Sequence, residues 1–185
     1  VTGFRSGMTT AALDELTSSV CASMSTHHYE YSDLAARIQV SNLHKETAAP
    51  IAAVARRLAA AADAQGRPTG PLSGATFRLL LRGAPRLHAR LVFARDFAFT
   101  LFGFATMKRS YLLREGGDDS PLAERPQHAY MRVALCLALS THDHTGHLAG
   151  EAAFDAGLGR AFDIYDLLST FGLVQASPTM FNAGT

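Results

Sequence analysis

The sequence has 185 residues, 48% hydrophobic and 18% charged, a balance that suits one globular unit or two small ones with a real core. A formal net charge of +1 excludes the strongly basic surface of an electrostatic nucleic-acid binder. The longest apolar run, Val133 to Leu139, is too short to cross a bilayer, and no charged-then-apolar leader opens the chain.

Thr9 and Thr10 precede the first helical pattern, and either hydroxyl can cap it. Leu13, Leu16, Val20 and Met24 recur at spacings of three and four, giving one apolar face, with Asp14 and Glu15 in or near the first turn. Ser32 reads as the cap of a second helix reinforced by Asp33. Its Leu34, Ala35, Ile38, Val40 and Leu43 occupy more than one face, which predicts a well-buried helix. Pro50 ends it or opens the next, an alanine-rich helix over Ile51 to Ala62 with Arg56 and Arg57 outward. Asp63 to Pro71 is dense in turn formers. Phe77 to Leu81 and Arg86 to Arg95 read as two further short helices. Arg109 to Arg114 and Leu122 to Arg125 flank a Gly-Gly-Asp-Asp-Ser-Pro turn, which predicts a hairpin. Pro126 takes a first helical position, and the helix it opens, Gln127 to Leu139, is apolar nearly all round and therefore central.

His142, His144 and His147 lie beside Asp143 in the loop that follows. A metal site needs a fixed geometry and a supporting second shell as well as ligands, so this cluster reads as a solvated loop, and no metal is assigned to the chain. A last amphipathic helix carries Phe162, Tyr165 and Leu168, and Leu173 to Thr179 reads as a short strand. Cys21 and Cys136 are spaced for neither zinc nor a redox pair; they read as small core residues, and two lone thiols without an export signal fit a reducing cytoplasm. The class is mainly α with one small β-hairpin.

Three ordered stretches carry a family resemblance. The first runs from Ser6-Gly7-Met8-Thr9-Thr10 and Leu13-Asp14 through Leu34-Ala35-Ala36-Arg37-Ile38 to Val40-Ser41-Asn42-Leu43-His44-Lys45-Glu46-Thr47. The second holds Arg95-Asp96-Phe97, Phe102-Gly103-Phe104, Arg109-Ser110-Tyr111-Leu112-Leu113, Glu124-Arg125-Pro126-Gln127-His128 and Met131-Arg132-Val133. The third holds Tyr165-Asp166-Leu167-Leu168-Ser169 and Ala176-Ser177-Pro178-Thr179-Met180-Phe181-Asn182-Ala183-Gly184-Thr185. Together they resemble the large, catalytic subunit of class I ribonucleotide reductases of the eukaryotic type. The stretches Gln65 to Ser73 and Ser140 to Arg160 depart from the family's pattern.

The resemblance implies three regions: residues 1–47 as the later part of an ATP-cone that regulates activity, 48–175 as the helical N-terminal domain, and 176–185 as the first strand of the α/β barrel. It implies that Thr10, Asp14 and Lys45 contact an ATP or dATP effector. Their chemistry permits it, since a lysine is a point charge for phosphate and a threonine at a helix N-terminus offers a hydroxyl. From spacing alone the same residues are a cap, a first-turn acid and a solvated lysine. Ser177, with Ala176 beside it, matches a substrate-contacting position; by itself it is an ordinary turn serine before a proline.

For the parent protein the resemblance implies reduction of ribonucleoside diphosphates for DNA synthesis by thiyl-radical chemistry. Its partners would be a small subunit carrying a dimetal-radical cofactor, a thioredoxin- or glutaredoxin-type reductant and further large subunits, with neither nucleic acid nor membrane. Both ends of the chain read as cuts, before the catalytic cysteines, so the fragment alone is expected to be inactive and its last ten or so residues mobile. The alternative is a freestanding helical module for nucleotide sensing or protein interaction.

Overall fold

The computed structural model describes residues 3, 5–62, 67–116, 119–140 and 150–185. The His142, His144 and His147 cluster lies outside them. Among the described residues eight α-helices follow one another: α1 Thr10–Ser23, α2 Glu30–Glu46, α3 Ile51–Ala60, α4 Gly74–Arg90, α5 Leu101–Ser110, α6 Pro126–Ser140, α7 Glu151–Ser169 and α8 Ser177–Asn182. Short 3₁₀ turns at Met24–Thr26 and Phe93–Ala98 precede α2 and α5.

Side-chain oxygens start several helices. Thr9 Oγ1 accepts from the Ala12 amide at 3.2 Å, Ser73 Oγ from Thr76 at 3.2 Å and Thr100 Oγ1 from Gly103 at 3.1 Å. Helix α2 begins two residues before Ser32. Tyr29 already has helical backbone angles there, so the 3₁₀ turn runs almost directly into the helix, and Ser32 is not a cap. Asp14 lies just beyond the first turn of α1.

Helix α6 is the centre. Every residue from Leu122 to Leu135 is buried, and α6 lies against α7, with α4 and the second 3₁₀ turn on its other sides. Leu135, Leu139, Phe154, Leu158, Ala161 and Leu168 form the seam with α7. Gly157 makes that approach possible, because a Cβ there would stand 2.1 Å from Leu139 Cδ2. Helix α3 packs on α4 and α1 on α2. Val40 and Leu43, late in α2, share the main core, whereas Cys21 and Ala35 are buried between α1 and α2.

Three local expectations are corrected. The two short helices read over Phe77 to Arg95 are one helix, α4, with Pro85 inside it, followed by the 3₁₀ turn. Pro85 is exposed, while Leu80, Gly83 and Leu87 keep one continuous buried face. Burying each leucine is worth roughly 1.5–3 kcal/mol, enough to offset the ~3 kcal/mol an interior proline costs. Arg109 and Ser110 belong to α5, and the pairing expected of a hairpin stops at a single bridge between Arg114 and Leu122; the described residues contain no strand.

The strand read over Leu173 to Thr179 is also replaced, in part by α8, which has Pro178 in its first turn. The last residues are held down by helices instead of a sheet. Met180 is buried, the Ser73 amide donates to Gly184 O at 2.9 Å, and Arg132 Nη1 donates to Ala183 O. Gly184 has φ +84°, and a Cβ there would meet Thr76 Cγ2 at 2.8 Å, so only glycine lets this segment lie so close.

Candidate functional site

Asp14 and Lys45 meet. Lys45, in the last turn of α2, donates to Asp14 Oδ2 at 2.6 Å and to Asn42 Oδ1 at 3.5 Å. Thr10 stands one turn before Asp14 on α1, so the two share a face, and its side chain is exposed. The three expected effector-contacting residues therefore gather where the start of α1 faces the end of α2. The cation is already balanced by a carboxylate, so phosphate would have to compete with Asp14 for Lys45.

Behind Lys45 the polarity continues inward. His44 Nε2 donates to Asp96 Oδ2 at 2.7 Å, and Gln127 Nε2 donates to Asp96 Oδ1 at 3.0 Å. Tyr165 Oη donates to Gln127 Oε1 at 2.6 Å and accepts from the Val92 amide at 2.9 Å. Asp96, Gln127 and Tyr165 are all 0% exposed. Burial, with Asp96 adding to it, pushes the neighbouring Tyr130 phenol up to about 12, and burial likewise raises Tyr165, so both stay protonated.

Arg125 closes the end of α2. Its Nη2 donates to His44 O at 2.8 Å and Thr47 O at 2.7 Å, and its Nε to Thr47 Oγ1 at 3.0 Å. His128 beside it accepts from the Arg125 amide at Nδ1 and donates from Nε2 to Ala49 O at 2.9 Å, a pair of bonds that needs neutral imidazole. Burial holds His128 down to about 4. Arg132 forms a two-pronged bond to Glu124, Nε to Oε1 at 2.8 Å and Nη2 to Oε2 at 3.0 Å. Burial works against the Arg132 charge and Glu124 outweighs it, raising the guanidinium above its ordinary value. Arg125 and Arg132 thus hold structure together, their partners being the end of α2, Glu124 and the C-terminal segment.

Ser177 opens α8 and Ala176 precedes it, both exposed, far along the chain from Thr10 and Lys45. Ser177 Oγ lies 2.9 Å from Tyr111 Oη, and the Tyr111 ring stacks on Phe181 at 5.0 Å. Tyr111, His44, Asp96 and Gln127 were visible only as parts of motifs; the available signal was polar residues on otherwise apolar helices. Burial pushes the Cys136 thiol up, and its Sγ lies 3.7 Å from Thr76 Oγ1; Cys21 is buried. Among the described residues no group of three or more His, Cys, Asp or Glu is placed to hold a metal ion, and no helix is long and apolar enough to cross a membrane.

These features define a helical domain whose interior carries an extensive network of hydrogen-bonded polar side chains. Residues 97–185 match the family model described as the ribonucleotide reductase all-alpha domain. The whole chain aligns with ribonucleoside-diphosphate reductase large subunits, at 37% identity over 185 residues with that of Plasmodium falciparum and 38% with that of Cryptosporidium parvum, covering 21% of each of those proteins. A large chain from Saccharomyces cerevisiae is 38% identical over 186 residues, with 19% of its length covered. The chain belongs to the ribonucleotide reductase large-subunit family and spans about a fifth of the length of these relatives.

Proposed function

We propose that this chain is the effector-sensing and substrate-flanking helical portion of a ribonucleoside-diphosphate reductase large subunit. The observation that carries the reading is alignment along all 185 residues with proteins of that name. In this reading residues 1–47 are the later part of the ATP-cone, 48–175 the helical domain, and 176–185 the entry to the catalytic barrel. The parent reduces ribonucleoside diphosphates to deoxyribonucleotides, with radical chemistry supplied by a dimetal small subunit, reducing equivalents from a thioredoxin- or glutaredoxin-type protein, and regulation through self-association. It works in the cytoplasm, which suits two unpaired cysteines.

The residues of this chain take defined parts. Lys45 binds an effector phosphate once it swings from Asp14, and the freed Asp14 then accepts from ribose or base, as does the Thr10 hydroxyl with its neighbouring helix N-terminus. Ser177 and the Ala176 backbone edge the substrate, with Tyr111 orienting the serine hydroxyl.

Two measurements test this. The transcript beyond the Thr185 codon should read on into a Gln-x-x-Ser-Cys-like segment and a barrel; a stop codon there replaces the reductase reading with a freestanding module. Lys45 and Lys108 are the only lysines in the sequence, so ATP titrated into lysine-labelled protein should move one of two side-chain signals. Equal or absent movement of both removes the effector role.

A further inference from the structure

Lys45 and His44 are consecutive on the last turn of α2, about 100° apart around the helix axis. Whatever fixes the roll of that turn at His44 therefore fixes the direction in which Lys45 leaves the helix. His44 is held by Asp96, and Asp96 is held in turn by Gln127, Gln127 by Tyr165, and Tyr165 by the Val92 amide. This hydrogen-bonded line runs from α2 through the second 3₁₀ turn to α6 and α7, all within 2.6–3.0 Å links. Helix α1, which carries Asp14 and Thr10, packs on α2 and is pinned to it by Ser18 Oγ donating to Ala35 O at 3.1 Å. The placement of α1 therefore follows that of α2.

Asp96 is costly where it stands. A carboxylate with no exposure, bonded among the described residues to a histidine and an amide and reached by the Arg125 guanidinium only through its field, is not what a core built for stability alone would use. A carboxylate does offer two acceptor oxygens with fixed directions, and both are used, one towards α2 and one towards α6.

We propose that Asp96 is a positioning residue for the effector half-site: by holding His44 it sets the roll of the α2 end, aims Lys45 at Asp14 and the nucleotide, and ties that setting to the α6–α7 pair through Gln127 and Tyr165. This rests on the effector role of Lys45. It makes the helical body and the nucleotide-contacting helices two ends of one continuous bonded path, so that a change of pose at either end is felt at the other.

The test uses this chain with labelled lysine and two side-chain signals to read. Without nucleotide, Asp96→Asn should move the Lys45 signal towards that of a solvated lysine and leave Lys108 unmoved; ATP should then bind about tenfold more weakly. His44→Leu should reproduce both effects, and His44→Gln, which keeps a donor in place of Nε2, should restore most of each. A merely structural Asp96 would not give that rescue pattern. If folded Asp96→Asn leaves the Lys45 signal where it was, or if His44→Leu does so, the proposal is overturned. If Asp96→Asn does not fold, the two His44 variants decide alone. A wild-type chain whose Lys45 ignores ATP overturns the effector reading and the purpose assigned here, while the nucleotide-free signals still report whether Asp96 sets Lys45.

Discussion

Removing Arg132 should damage this fold more than removing Arg132 and Glu124 together. The two side chains are 1% and 2% exposed and share two short bonds; Glu124 Oε2 also accepts from the Leu113 amide at 3.1 Å. Arg132→Met leaves a buried carboxylate with one amide donor, and breaking a buried pair this way costs about 3–5 kcal/mol. The lost bond from Nη1 to Ala183 O adds ~1 kcal/mol. Against a total stability of roughly 5–15 kcal/mol, the variant is close to unfolding. Glu124→Leu with Arg132→Met removes both charges at similar volume. What remains is the unpaired Leu113 amide, about 1–3 kcal/mol, and the loosened C-terminal segment. Urea titration followed by circular dichroism measures the difference. With a slope of about 2 kcal/mol per molar, the midpoint should fall by roughly 2–3 M for Arg132→Met and distinctly less for the double variant. A double variant that loses the sum of the two single losses, or an Arg132→Met variant that loses under about 1 kcal/mol, refutes the reasoning.

His128 makes the fold acid-sensitive. Its folded value of about 4 lies below the ordinary 6.5, so the unfolded chain binds more protons between those values. The stabilising contribution is complete above pH 6.5 and disappears as pH falls towards 4, about 3 kcal/mol in all. Urea stability measured across that range should show the slope, and His128→Gln should flatten it; a slope unchanged in the variant would exclude His128 as its source. Gly157→Ala should lower the melting temperature although alanine favours helix by about 1 kcal/mol, because its Cβ would overlap Leu139. Adding it to Leu139→Ala should cost nothing further, and an additive loss would show that the contact is not the cause. Of the ion pairs joining α4 and the following turn to α7, Arg90–Asp166 and Arg95–Asp166 are half-buried, whereas Arg82–Glu151 and Arg86–Asp155 are exposed and should matter little. Arg86→Ala should change stability by less than about 1 kcal/mol, and a larger, salt-insensitive loss would contradict that.

What was legible in the sequence follows the range over which each signal acts. The cap at Thr9, the start of α6 at Pro126 and the burial of α6 depend on neighbours within one helix, and periodicity captures them. The continuity of α4 through Pro85 depends instead on the core beneath Leu80 and Leu87, which local breaker rules do not see. The expected strand at Leu173 to Thr179 had apolar residues, but the described residues offer it no sheet to join. The segment instead meets helix surfaces through Met180, Ala183 and Gly184. The candidate effector residues were placed by resemblance; only the fold brings Lys45 across 31 residues to Asp14.

The polar interior was the least legible part, for the same reason. Asp96 bonds to Gln127 across 31 residues and to His44 across 52, and Arg125 reaches Thr47 across 78. No spacing rule covers such distances. Yet each of these residues announces a requirement. On a helix that is apolar all round, Gln127, His128 and Arg132 have no exposed face to occupy, so they must be buried and must therefore be bonded. The sequence thus states that partners exist without naming them. The partners turn out to be the end of α2, the turn before α5 and the last residues of the chain. A helix that would otherwise be a plain hydrophobic core is in this way the common anchor for the end of α2 that carries Lys45 and for the segment that carries Ser177.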